Sequence, residues 1–68
     1  MTGPFLDQTQ QMEPIVTKIL VVDDHAVVRQ GVKQILNEQF QGAVIGEARN
    51  AEEMIDRIRK FTWDIVVL

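Results

Sequence analysis

The sequence has no cysteine, one histidine and four glycines among its 68 residues. Without cysteine there is no disulfide to staple so short a chain, and no metal site of the Cys/His kind. The same absence fits a reducing compartment. No apolar run approaches the roughly 18 residues that a membrane helix needs, so no span is expected. An excess of positive charge is missing too: seven Lys and Arg face ten Asp and Glu, for a net charge of −3. The basic cluster Arg57, Arg59 and Lys60 reads as a solvated helix face, and nucleic-acid binding by these residues is not expected. No glycine-rich loop follows the first apolar run, which counts against a nucleotide-binding enzyme fragment: the turn there is acidic and would repel a pyrophosphate. There is no internal repeat. A chain of this length makes one small domain at most, and a marginal one.

Residues 1–17 differ from the remainder. They are rich in Gln and Thr, carry Gly3, Pro4 and Pro14, and keep no apolar period. They read as a flexible leader. A helix over Leu6 to Glu13 would be too short to stand alone. The leader has neither the basic start nor the apolar core of a secretion signal.

The informative stretch is Ile19-Leu20-Val21-Val22-Asp23-Asp24-His25. An unbroken apolar run ends at two adjacent carboxylates, and a helical pattern begins directly after them. This is the grammar of a buried parallel strand whose C-terminal end delivers acids to the crevice where open α/β sheets bind ligands. Neighbouring carboxylates repel each other, and a hard cation such as magnesium, with its preference for oxygen ligands, offsets that cost. The competing reading is that the pair ends the strand and caps the helix, since Asp is a favoured N-cap.

Along the chain the pattern predicts a strand at Lys18–Val22 and a helix at about Ala26–Gln39. Val28, Val32, Ile35 and Leu36 form its buried stripe. Gly31 within this helix suggests close packing. Gln41 and Gly42 break the chain before a short strand over Ala43–Glu47. Asn50 then caps a second helix, with Glu53 placed to complete a capping box. Ala51, Met54, Ile55 and Ile58 make its stripe, and Phe61 closes it. Thr62 and Trp63 link to a last apolar strand, Ile65–Leu68, introduced by Asp64. The alternation β-α-β-α-β means parallel strands joined by right-handed crossover helices. Ending on an all-apolar strand that expects neighbours and cover on both faces, the sequence reads as half a domain.

Ile-Leu-Val-Val-Asp-Asp-His followed by Ala-Val-Val-Arg-Gln-Gly-Val resembles the start of bacterial response-regulator receiver domains, and looks most like the NarL/FixJ subfamily. Gly46-Glu47-Ala48 with Asn50-Ala51-Glu52-Glu53 is similar to that family's second strand and second helix. Trp63-Asp64-Ile65-Val66-Val67-Leu68 is similar to its third strand. The resemblance covers Lys18 to Leu68, and it rests on the order and spacing of these motifs together.

It implies the first half of a flavodoxin-like, doubly wound parallel sheet, truncated after the third strand. It also implies a cytoplasmic two-component signalling module, not itself an enzyme. Such a module accepts a phosphoryl group from a sensor histidine kinase onto an aspartate, with Mg2+ beside it. By that likeness Asp24 matches the direct metal ligand, and Asp23 its partner acting through water. The family's phosphoacceptor would follow Leu68, so it is not in this chain. The later phosphate-sensing Thr or Ser and the phosphate-contacting Lys are missing as well. Asp64, at the wrong end of the third strand and about 15 Å away at about 3.3 Å per residue, reads as a turn residue.

The isolated chain is expected to bind magnesium weakly or not at all, to take up no phosphate, and to contact DNA only through a C-terminal domain of the parent. The alternative reading is an interaction fragment that self-associates into a homo-oligomer, or is complemented, through its exposed third strand. His25 reads as an exposed first-turn residue, Arg29 as the partner of a surface acid, Trp63 as loop packing, and Glu47 as a residue with little claim on the acidic cluster.

Overall fold

A computed structural model describes residues 16–68. The leader reading for residues 1–17, and the helix weighed at Leu6–Glu13, fall almost wholly outside the described residues. Five elements follow in order: β1 (Lys18–Val22), α1 (Ala26–Gln39), β2 (Val44–Ala48), α2 (Ala51–Lys60) and β3 (Ile65–Val67). The strands form one parallel sheet in the order β2-β1-β3. Among the described residues no helix is long and apolar enough to cross a membrane.

Strand β1 is central, and its apolar run is the core: Ile19 and Leu20 are 0% exposed and Val21 1%. Consecutive residues of a strand point to opposite faces, so burial of all three means that both faces are covered. Two crossovers of the same hand running in opposite directions across the sheet put α1 and α2 on opposite faces. The helices indeed make no approach to each other. Both pack on β1 and β2, and neither packs on β3.

The helical stripes are less buried than their periodicity predicts. Val32 and Leu36 of α1 and Met54 of α2 are half-buried. Val28 (46%), Ile35, Ile55 and Ile58 remain exposed, as does Ala51, and neither helix has a buried residue. Each helix lies across two strands only, so part of each stripe has no surface to meet. On β3, for the same reason, Ile65 and Val66 stay about two-fifths exposed.

Strand β2 runs one residue later than expected. Gly42 takes a left-handed conformation (φ 84°) that a side chain would resist. The Ala43 N–H closes that turn on the Phe40 carbonyl, and pairing starts only where the Val44 N–H reaches the Thr17 carbonyl at 2.9 Å. Leu68 lies past the end of β3. Gly31 is not a point of close packing, because nothing among the described residues lies within 4 Å of a β-carbon built there. The close approach is at Gly46, where the Trp63 indole lies over the strand backbone. The ring's Nε1–H donates to the Arg57 carbonyl at 3.0 Å, tying the link before β3 to the end of α2.

Candidate functional site at the end of the central strand

The site is the turn from β1 into α1. Pairing of β1 with β2 extends one step past the strand, where the Asp23 N–H donates to the Ala48 carbonyl at 3.1 Å. Asp23 Oδ1 then accepts the His25 N–H at 2.7 Å, a short side-chain turn of the kind Asp makes with the backbone two residues on. The N-cap position of α1 belongs to His25, and no side chain caps the helix. Neither acid therefore gives α1 a side-chain cap, although β1 does end directly before the pair, as the competing reading also has it.

Asp23 is partly sheltered, with its side chain 31% exposed, whereas Asp24 is 77% exposed. His25 is exposed at the start of α1, as the sequence suggests. In the structure its exposed ring lies against both, Nδ1 standing 3.0 Å from Asp23 Oδ1 and 2.8 Å from Asp24 Oδ1. One donor atom from each of Asp23, Asp24 and His25 falls within a 4.8 Å cluster. The His25 backbone N–H, followed by its ring, holds the Asp23 carboxyl below the usual carboxylate range. Two carboxylates at a strand end are the hard oxygen donors that magnesium takes, and Asp24 meets only the imidazole among the described residues. The donor set fits the cation.

Behind the turn lies a network that the sequence reading had only in part. Arg29, 11% exposed, sends Nε to Glu47 Oε1 at 3.1 Å and Nη1 to the Asp23 carbonyl at 2.8 Å. Lys33 Nζ reaches the other Glu47 oxygen at 2.6 Å. Glu47 sits next to β1, in register with Val21. Lys33 first, and then Arg29, hold its carboxyl below the usual range. Arg29 thus pairs with an acid as expected, and Glu47 joins the cations of α1 rather than the acid pair. The readable sign was the i, i+4 spacing of Arg29 and Lys33, which stacks two cations on one helix face.

The remaining residues weighed from the sequence fall elsewhere. Asp64 lies at the opposite end of the sheet, its carboxylate accepting the Lys18 N–H at 2.8 Å. In the basic cluster, Arg57 and Lys60 both pair with Asp56, and all three cations sit in the last turn of α2, where the helix dipole favours them.

The family model for the response regulator receiver domain matches residues 19–68. Among curated relatives, a protein-glutamate methylesterase/protein-glutamine glutaminase of Methanosarcina mazei is 41% identical over 79% of this chain and 15% of its own length. Transcriptional regulatory protein YdfI of Bacillus subtilis is 37% identical over 75% of this chain and 24% of its own. The nitrate/nitrite response regulator NarL of Escherichia coli is 38% identical over 74% and 23%. The chain thus spans between about a seventh and a quarter of the length of these relatives. No solved structure matches it. With β-α-β-α-β order, a parallel β2-β1-β3 sheet and a family match over nearly all of the described residues, the chain belongs to the response regulator receiver domain family.

Proposed function

We propose that residues 18–68 are the N-terminal part of the receiver domain of a two-component response regulator, preceded by a leader over residues 1–17. In this reading Asp23 and Asp24 form half of a Mg2+ site, Asp24 as direct ligand and Asp23 through water. The phosphoryl group comes from a sensor histidine kinase and goes to an aspartate that follows Leu68 in the parent. The observation that carries this reading is the position of the acid pair at the C-terminal end of β1. There the sheet order turns from β1 to β3, the switch point where doubly wound sheets bind ligands.

The strand register supports the acceptor assignment. Val21 lies beside Val67, so continuing the ladder sets Val22 beside Leu68 and the next residue beside Asp23, about 4.8 Å away across the sheet. A bound Mg2+ would neutralise the negative charge that gathers when a phosphoryl group meets a carboxylate. The chain's own contribution is to place two carboxylates at that point, with Asp23 tied by its N–H, its carbonyl and one carboxylate oxygen.

The residues matched are common to relatives named as methylesterases and relatives named as transcriptional regulators. We assign the parent a transcriptional output, through a DNA-binding domain beyond this chain, on the Asp-Asp-His, Arg29 and Gly31 pattern. No enzymatic activity is assigned to residues 18–68 themselves. The codons after Leu68 test the reading directly: an Asp codon is expected, and another residue there overturns the acceptor assignment. In the parent, Asp24→Asn should abolish Mg2+-dependent phosphate uptake from acetyl phosphate.

One observation favours a second reading for the isolated chain. Ile65 and Val66 are about two-fifths exposed on a strand that forms one edge of the sheet, and such an edge is a template for pairing with another copy. Sedimentation that finds a monomer at all concentrations refutes that association.

A further inference from the structure

We propose that Arg29 is a positioning residue for the acid pair, fixing the peptide plane between Asp23 and Asp24 by gripping the Asp23 carbonyl, with Glu47 as its anchor. This deepens the reading of Asp23 and Asp24 as a cation site and rests on it.

Arg29 bridges two elements. Its Nη1 takes the Asp23 carbonyl at 2.8 Å and its Nε the Glu47 carboxylate at 3.1 Å. A planar guanidinium with its donors in a rigid fork can hold both partners from a single pose, which a lysine ammonium cannot do at this span. The Asp23 carbonyl is thereby turned toward α1, and the Asp24 side chain leaves the turn on the exposed side. Among the described residues, every other tie on Asp23 is made before that carbonyl, by its N–H on Ala48 or by its carboxylate on His25. The Arg29 contact is therefore the one that sets the direction in which the chain leaves Asp23.

Glu47 has a second effect. A free guanidinium this close to the acids would repel any cation they bind, and the Glu47 carboxylate, shared with Lys33, offsets part of its charge. Lys33 supplies the contrast. It also braces α1 on β2 through Glu47, at 2.6 Å, but does not touch the turn. A purely structural brace would make Arg29 and Lys33 equivalent, whereas positioning makes them different.

The test uses the full 68-residue chain labelled for nuclear magnetic resonance, first without metal. Arg29→Met should shift the Asp23 carbonyl and the Asp24 and His25 amide signals, while Lys33→Met leaves them in place. If Arg29→Met does not fold, Arg29→Lys keeps the charge but cannot span both partners, and should move the same signals. In a Mg2+ titration of the parent receiver domain, Arg29→Met should weaken binding about tenfold, the usual cost of losing a group that orients a metal ligand. Lys33→Met should leave it unchanged.

Coulomb's law alone gives the opposite sign, since deleting a cation near two acids tightens cation binding. Tighter binding in Arg29→Met therefore overturns the positioning role. An Asp23 carbonyl signal that stays put in both Arg29 variants, or that moves equally in Lys33→Met, overturns it too. A wild-type parent receiver domain that shows the carbonyl signature but no Mg2+ response overturns the cation reading and leaves the Arg29 grip standing.

Discussion

A methyl group added at Gly46 should act almost entirely through one indole ring. The backbone there is not in the left-handed region, so alanine meets no conformational objection. The obstacle is Trp63: Cζ2 and Cζ3 lie 3.1 Å from the site of the new carbon, and Cη2 lies closer still. Ordinary carbon contacts are about 3.5–4.0 Å, so the ring must move. Its motion is resisted by the 3.0 Å hydrogen bond to the Arg57 carbonyl and by the edge-to-face contact with Phe61, at 6.2 Å between centroids. Losing the hydrogen bond costs about 1 kcal/mol, and overpacking about 1–3 kcal/mol. Removing a glycine from a strand returns about 0.5–1 kcal/mol. Gly46→Ala should therefore destabilise the chain by about 2 kcal/mol.

Urea unfolding followed by far-ultraviolet circular dichroism measures this. Trp63 is the single tryptophan, so its fluorescence reports ring displacement independently. In a Trp63→Leu background the clash is gone, and Gly46→Ala should be neutral or stabilising. The double-mutant cycle should then show a coupling of about 2–3 kcal/mol. Additive effects, or a lower midpoint with unchanged fluorescence, would refute the clash.

Acid should unfold the chain through particular carboxyls. Asp23, Glu47 and Glu53 are all held below their ordinary values of 3.8, 4.5 and 4.5, by His25, by Lys33 and Arg29, and by Arg49. A depressed carboxyl contributes stability above its unfolded value, and that stability is lost as pH falls through the folded value. The urea midpoint should hold from neutral pH to about pH 5 and fall below it, less steeply in Glu47→Gln. Asn50→Ala removes the 2.9 Å bond from the Glu53 N–H and should cost about 1 kcal/mol of stability, read from the same unfolding curves. If the β3 edge pairs copies of the chain, Val66→Lys should convert a sedimenting dimer to monomer without changing the circular dichroism.

Much of the architecture was legible because it is local. The bounds of β1 and α1 follow from an apolar run, two acids and a 3.6-residue stripe, and the structure reproduces them. Asn50 caps α2 as its sequence says, but the capping box is altered: Glu53 turns back to the Arg49 N–H and side chain rather than to the Asn50 N–H. The start of β2 was missed by one residue, because the left-handed Gly42 turn takes up Ala43 before pairing begins. Helix burial was overstated. Periodicity tells which face is apolar, but not how much sheet lies beneath it.

From sequence alone came the alternation of elements, the parallel sheet, the acids at the strand end and the family resemblance. Each of these depends on residues close together in the chain, where spacing dictates geometry. Tertiary structure alone decided that Glu47 binds the cations of α1. It also decided that Arg29 reaches back to the Asp23 carbonyl and that Trp63 covers Gly46. Those contacts depend on how α1 and the link after α2 sit across the sheet. Side-chain partners 17 or 18 residues apart are brought together by crossover packing, which no local pattern encodes.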